Sequence, residues 1–169
     1  MTGGRETVDV QTGEVKAGGR NTVLLSTAIG SCIAVVALDI AAFVGGIAHI
    51  MLPGRAPENS ERPHTRYVRD GFSALMHSLC SMGGKREDIR VCLAGGANVL
   101  KDPGDTICRE NIRAVREQCG EYRIPVVAES LGGYFRRRVM LNIERRMVTC
   151  GVGDKADFTL WFYSKEHEV

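Results

Sequence analysis

Apolar residues along this chain come in short dense bursts, set off by stretches rich in glycine, proline and charge. Residues 23–26 form a short apolar strand leading into Thr27-Ala-Ile-Gly-Ser-Cys32. The run Ile33-Ala-Val-Val-Ala-Leu38 is continuously apolar, so periodicity leaves it open between a strand and a buried first helical turn. Residues 43–52 read as a strand ended by Pro53, in which Gly45 and Gly46 permit a bulge or close backbone approach. After a turn-rich loop at 54–65, apolar residues at 68, 72, 75, 79 and 82 keep the 3.6 period and predict an amphipathic helix over 67–82, stopped by Gly83-Gly84. A strand at 89–94 runs into Gly95-Gly96-Ala97. Asp105 or Thr106 can cap a helix running through Cys119, with Gly120 behind it. Residues 124–128 form a strand whose start Pro125 confines to an edge or a strand end. Alternation at 139, 141 and 143, then at 147 and 149, predicts a hairpin, and 158–163 supplies a last strand.

The first 22 residues are polar and Gly-rich, with Val8 and Val10 their only apolar rhythm. They read as a loose arm holding one short edge strand, and residues 164–169 as a polar tail. With no internal repeat and no linker, the expectation is one domain over 1–169. Helices mixed with lone strands and hairpins place it in the α+β class.

Composition narrows the function classes. At 169 residues with 44% hydrophobic and 25% charged positions, the chain can build a core without disulfides or a structural metal. Asp39 and His49 break up the most apolar region, so no 18-residue apolar run spans a membrane. The N-terminus lacks the basic-then-apolar order of a signal peptide, and a cytoplasmic location is expected. A net charge of +2 gives no reason to expect nucleic-acid binding. Six cysteines stand at 32, 80, 92, 108, 119 and 150 without a CxxC or HxxxH pair, so no metal site is expected. Cys80, Cys92 and Cys150 read as small buried hydrophobes, whereas Cys108 and Cys119 lie on a charged helix and read as partly exposed.

Cys32 differs from the other five. Gly30-Ser31 before it allows a tight turn that can expose the sulfur at a strand end, where the Cys32 backbone N–H could help bind an oxyanion. Of the four histidines, His64 and His167 sit in polar surroundings and His77 stands beside a helical apolar stripe; His49 alone is embedded in an apolar strand. Such a histidine is either a hydrogen-bonded structural residue or, if its strand neighbours the one ending near Cys32, the base of a cysteine–histidine pair suited to acyl transfer. A hydroxyl or carboxamide could orient the imidazole.

These residues carry a family resemblance. Ser26-Thr-Ala-Ile-Gly-Ser-Cys32 and Gly46-Ile-Ala-His49-Ile-Met-Leu-Pro53 resemble the chemoreceptor glutamine deamidase family, CheD. The likeness extends through Leu93-Ala-Gly-Gly-Ala-Asn-Val-Leu100, a helix of the family's "G-x-x-N-x-x-A-V" type with Cys108 in place of its glycine, and Gly132-Gly133. It implies a mixed β-sheet sandwich flanked by helices, of the kind found in cysteine-dependent toxin-type deamidases. It implies hydrolysis of receptor glutamine side chains to glutamate, with Cys32 as nucleophile, His49 as base and acid, and no cofactor. The family's third residue is a threonine six positions before the cysteine; Ser26 stands there and Thr27 follows, and both remain candidates because a one-residue slip reverses a strand residue's face. Gly30 and Ser31 are expected to contact substrate. Gly95 and Gly96 either line the substrate groove or serve helix–sheet packing. Implied partners are methyl-accepting chemotaxis receptors and a CheC-type phosphatase; docking either without catalysis is the alternative function. The basic clusters at 136–138 and 145–146 read as a solvated face or as a surface for acidic receptor helices.

Overall fold

The structure is a computed structural model and describes residues 3–167. Two five-stranded mixed sheets form the frame. In chain order the strands are β1 (Glu6–Asp9), β2 (Val15–Gly18), β3 (Thr22–Ile29), β4 (Ile33–Asp39), β5 (Val44–Ile50), β6 (Ile89–Gly95), β7 (Val126–Leu131), β8 (Arg137–Asn142), β9 (Met147–Val152) and β10 (Phe158–Phe162). The helices are α1 (Val68–Ser81) and α2 (Ile107–Tyr122). One sheet has the order β1-β3-β8-β9-β10 and the other β2-β5-β4-β6-β7. The pairs β1–β3 and β6–β7 are parallel, and all others antiparallel.

The sheets pack face to face through Leu24, Ile29, Ala34, Val36, Leu38, Ile47, Val139 and Leu141, among others. The helices cover the opposite face of the second sheet through Phe72, Leu75, Leu79 and Val115. This is the α+β sandwich flanked by helices that was expected, with both helices on one side. The layering explains the ambiguous run at 33–38. Strand β4 is central in its sheet; residues 33, 35 and 37 face the helices while 34, 36 and 38 face the other sheet. A strand buried on both faces has no polar side, so it shows no alternation.

Four local expectations change. The first 22 residues hold two strands rather than one, each at the edge of a different sheet. Helix α2 passes Gly120 and ends at Arg123, in the left-handed conformation with φ 56°; Tyr122 holds this last turn by packing 4.9 Å from the Phe72 ring. Its first turn is capped by Asp105, whose Oδ1 accepts the Ile107 N–H at 3.0 Å. Cys108 and Cys119 are buried because they share one helical stripe with Val115, whereas Cys80 points to solvent from α1. No described helix is long and apolar enough to cross a membrane.

Candidate active site

Three strand ends meet where the Gly30-Ser31-Cys32 loop enters β4. Ile33 pairs with Ile50 of β5 on one side and Gly95 of β6 on the other. Ala34 pairs directly with His49 and faces the first sheet. Cys32, two residues earlier, packs on that same inter-sheet cluster and is half-buried. Cys32 and His49 are therefore diagonal neighbours on one face, a relation that spans roughly 7–8 Å between backbones and lies within reach of an imidazole.

From the facing sheet, β3 contributes Ser26. Its Oγ lies 2.9 Å from His49 Nδ1, and both residues are 1% exposed. The same hydroxyl lies 2.9 Å from the Val10 carbonyl, which can only accept. Ser26 therefore donates to Val10 and accepts from His49, which puts the imidazole proton on Nδ1. Nε2 is left as a buried lone pair with no hydrogen-bond partner among the described residues. The Cys32 thiol is thus not hydrogen-bonded to His49 in this free form; such contacts often tighten only when substrate binds.

Thr27 does not join this group. A bulge separates Ser26 from Ile29 in the pairing of β3 with β8, and Ala28 within it has φ 53°. Leu24 and Ser26 keep the inward phase, the extra residue turns Thr27 and Ala28 out, and Ile29 points in again. Thr27 and Ala28 instead line a cleft of about 390 Å³ with Val99, Tyr134, Phe135 and Arg136.

All three carbonyls of the Gly30-Ser31-Cys32 loop are held. Gly30 O accepts from Ala97 N–H at 2.9 Å, Cys32 O from Gly96 N–H at 2.8 Å, and Ser31 O from the Asn111 side chain at 2.9 Å. Gly95 and Gly96 are buried and allow this approach. A Cβ on Gly95, at φ 124°, would overlap the Cys32 carbonyl oxygen, and one on Gly96 would sit 2.5 Å from Ile112. Their place in the structure is close packing, while Gly30 and Ser31 are partly open.

Burial raises the Cys32 thiol above its ordinary range, opposed by its own backbone N–H and by the Arg66 charge. Burial likewise lowers the His49 imidazolium, opposed by the Val10 carbonyl. The resting pair is a neutral thiol and a neutral imidazole. Such an arrangement suits a base that takes the thiol proton as the sulfur attacks, rather than a standing thiolate.

A family model described as CheD chemotactic sensory transduction matches residues 51–151, more than half of the chain. A probable chemoreceptor glutamine deamidase CheD from Chlorobium luteolum is 34% identical over 152 residues, covering 90% of this chain and 76% of its own length. The chemoreceptor glutamine deamidase CheD of Thermotoga maritima is 34% identical over 122 residues, covering 72% and 76%. A probable CheD from Haloarcula marismortui is 31% identical over 141 residues, covering 82% and 81%. The chain belongs to the CheD family.

Within that family frame, Ser26 occupies the position where the sequence resemblance implies a threonine. The basic clusters are mostly engaged within the fold. Arg137 is buried and donates to the Gly132 and Phe135 carbonyls, Arg138 pairs with Asp157, and Arg146 lies over the Phe43 and Tyr163 rings. Arg136 and Arg145 stay exposed. His64 and His77 are exposed, and the His167 side chain lies outside the described residues. No three His, Cys, Asp or Glu side chains among the described residues gather as a metal site would require. Sequence reasoning gave no role to two contributors: the Val10 carbonyl, a backbone group with no sequence signal, and Asn111, which is the N of the helix pattern matched above and lies on the buried stripe of Cys108, Val115 and Cys119.

Proposed function

We propose that this protein hydrolyses the side-chain amide of glutamines on chemotaxis receptors in the cytoplasm, with Cys32 as nucleophile, His49 as base and then acid, and Ser26 orienting the imidazole. The observation that carries this reading is the buried Ser26–His49 hydrogen bond, which leaves His49 Nε2 unpartnered on the face shared with Cys32. The names of the relatives supply the substrate class.

In the proposed reaction the Cys32 sulfur forms a bond to the glutamine carboxamide carbon while its proton passes to His49 Nε2. The tetrahedral oxyanion accepts the Cys32 backbone N–H. His49 returns the proton to the amide nitrogen, the carbon–nitrogen bond breaks and ammonia leaves. Water then attacks the thioester, its proton going to Nε2. The carbon–sulfur bond breaks as that proton returns to sulfur, releasing glutamate.

Mass spectrometry of a receptor cytoplasmic fragment tests this, after incubation with the parent protein and with C32A. Conversion of particular glutamines to glutamate by the parent alone supports the reading. An unchanged fragment that binds both proteins would hand the function to docking, a role that the raised thiol and the absent sulfur–imidazole hydrogen bond would also suit.

A further inference from the structure

Asn111 is wholly buried on α2, yet its side chain leaves the helix to hold the backbone just before β4 and just after β5. Its Nδ2 lies 2.9 Å from the Ser31 carbonyl and 2.9 Å from the Met51 carbonyl. One acceptor immediately precedes Cys32, and the other lies two residues after His49. An amide nitrogen has two hydrogens, one for each oxygen, and the flipped amide would set three oxygens against one another. The orientation is therefore fixed, and Oδ1 is left buried without a partner among the described residues. An uncompensated buried acceptor is destabilising, so packing alone is a poor reason for an amide here. Backbone N–H groups of Gly96 and Ala97 hold the loop's other two carbonyls, and a change at position 111 leaves those donors in place. The middle carbonyl depends on Asn111.

We infer that Asn111 is a positioning residue that clamps the nucleophile loop to the end of the strand carrying His49, setting the distance over which the thiol proton must travel. This rests on the catalytic pair assigned above, and the test reads the clamp separately from deamidation. N111D keeps the shape and removes both donors; N111S keeps one donor and covers the case in which N111D does not fold.

Alkylation of Cys32 by iodoacetamide is followed against pH without any receptor, beside kcat and KM on the receptor fragment and thermal melting. A clamp predicts kcat lower by about 10–100-fold, KM within about threefold, and slower alkylation with its pH midpoint moved upward. N111S should fall between N111D and the parent. A lower melting temperature with unchanged alkylation profile and kcat would reduce Asn111 to a bolt between helix and sheet. If the parent does not deamidate but the variants still shift the alkylation profile, the clamp stands and the deamidase reading fails. If the parent deamidates and the variants match it, the clamp fails alone.

Discussion

Replacing Ser26 by alanine deletes a hydroxyl that is 1% exposed and removes two hydrogen bonds of 2.9 Å. The His49 Nδ1–H and the Val10 carbonyl then both lose their hydroxyl partner in a space closed to water. An orphaned buried polar group costs about 1–3 kcal/mol, and because the two groups left behind still act on each other the combined cost is less than twice that, about 2–4 kcal/mol for S26A. For a chain of this size that lowers Tm by roughly 4–16 °C. The effect on rate has a separate origin. Ser26 holds the proton on Nδ1 by about the net worth of one buried hydrogen bond, 1–2 kcal/mol, and without it the Nε2-protonated form, which cannot accept the thiol proton, becomes populated. Losing that bias about halves the competent tautomer, and a ring no longer held in orientation adds to the loss, so kcat should fall about 5–30-fold in all.

The assay is ammonia release from a receptor fragment, with melting measured on the same preparations. S26T restores the hydroxyl; its added methyl can cost about 1–3 kcal/mol in a full space, but kcat should stay within a few-fold of the parent. T27A, altered at an exposed position, should leave stability within about 0.5 kcal/mol and the rate unchanged. A melting loss of the stated size with parental kcat in S26A would refute the tautomer argument and leave Ser26 as a tie between the two sheets.

Four further outcomes follow from the structure. Because burial lowers His49 from 6.5 and raises Cys32 from 9.0, kcat/KM should form a broad bell with its acid limb below pH 6.5 and its alkaline limb above pH 9.0; an acid limb above 6.5 would contradict the neutral pair. The same His49 shift has a stability consequence, since below 6.5 the unfolded chain takes up a proton that the folded one refuses, so the urea midpoint should fall on acidification, and less so in H49Q. Ala28 sits in the left-handed region at φ 53°, a strain of about 1–2 kcal/mol that glycine relieves against about 0.5–1 kcal/mol of extra unfolded-state entropy; A28G should therefore raise Tm by roughly 1–4 °C, and a drop would mean that the methyl packs usefully. Burial pushes the Cys92 thiol to about 12 and Cys119 to about 11, so above pH 9.0 the unfolded thiols ionise first and stability falls with rising pH, by about 5 kcal/mol at pH 11 for the two together; C92V should remove about half of that slope, and a flat profile would count against the burial of these thiols.

What the sequence made legible followed from one-sided burial. Helix α1, covered on one face, kept its 3.6 period and its glycine stop, with Gly84 N–H bonded to Leu79 O. The β8–β9 hairpin alternated because only one of its faces is covered. Strand β4 did not alternate, and only the layering of helices and second sheet around it decided its state. At the site, the motif around Cys32 and His49 was legible as residue types, but the choice between Ser26 and Thr27 was not, because it turns on a one-residue bulge centred on a strained alanine that no periodicity signals. The arm at 1–22 looked loose because its strands are short and polar. Its place in the site is made by backbone groups instead: the Val10 carbonyl receives Ser26, the Glu14 carbonyl receives the His49 N–H, and the Gly13 N–H meets the His49 carbonyl.

Those backbone contacts bear on how the proposed reaction is restrained. His49 is enclosed by three separate pieces of chain: β4 beside it, β3 across the sandwich and the 10–14 segment along its other edge. Enclosure lowers the imidazolium and frees Nε2 to accept a proton near neutral pH, while Ser26 and Val10 fix which nitrogen does so. The same enclosure raises the Cys32 thiol, which keeps the resting sulfur a poor nucleophile toward adventitious electrophiles. A thiol of this kind becomes competent when a carboxamide sits between it and the loop N–H groups, so that proton loss and oxyanion stabilisation occur together. On this view selectivity comes partly from the resting state. A glutamine that does not settle against the Gly30-Ser31-Cys32 loop meets a protonated sulfur, and only one held there receives the attack as the thiol proton passes to His49 Nε2. The neighbouring cleft supports such settling, because Tyr134 and Phe135 are more than half exposed there, beside Thr27 and Ala28.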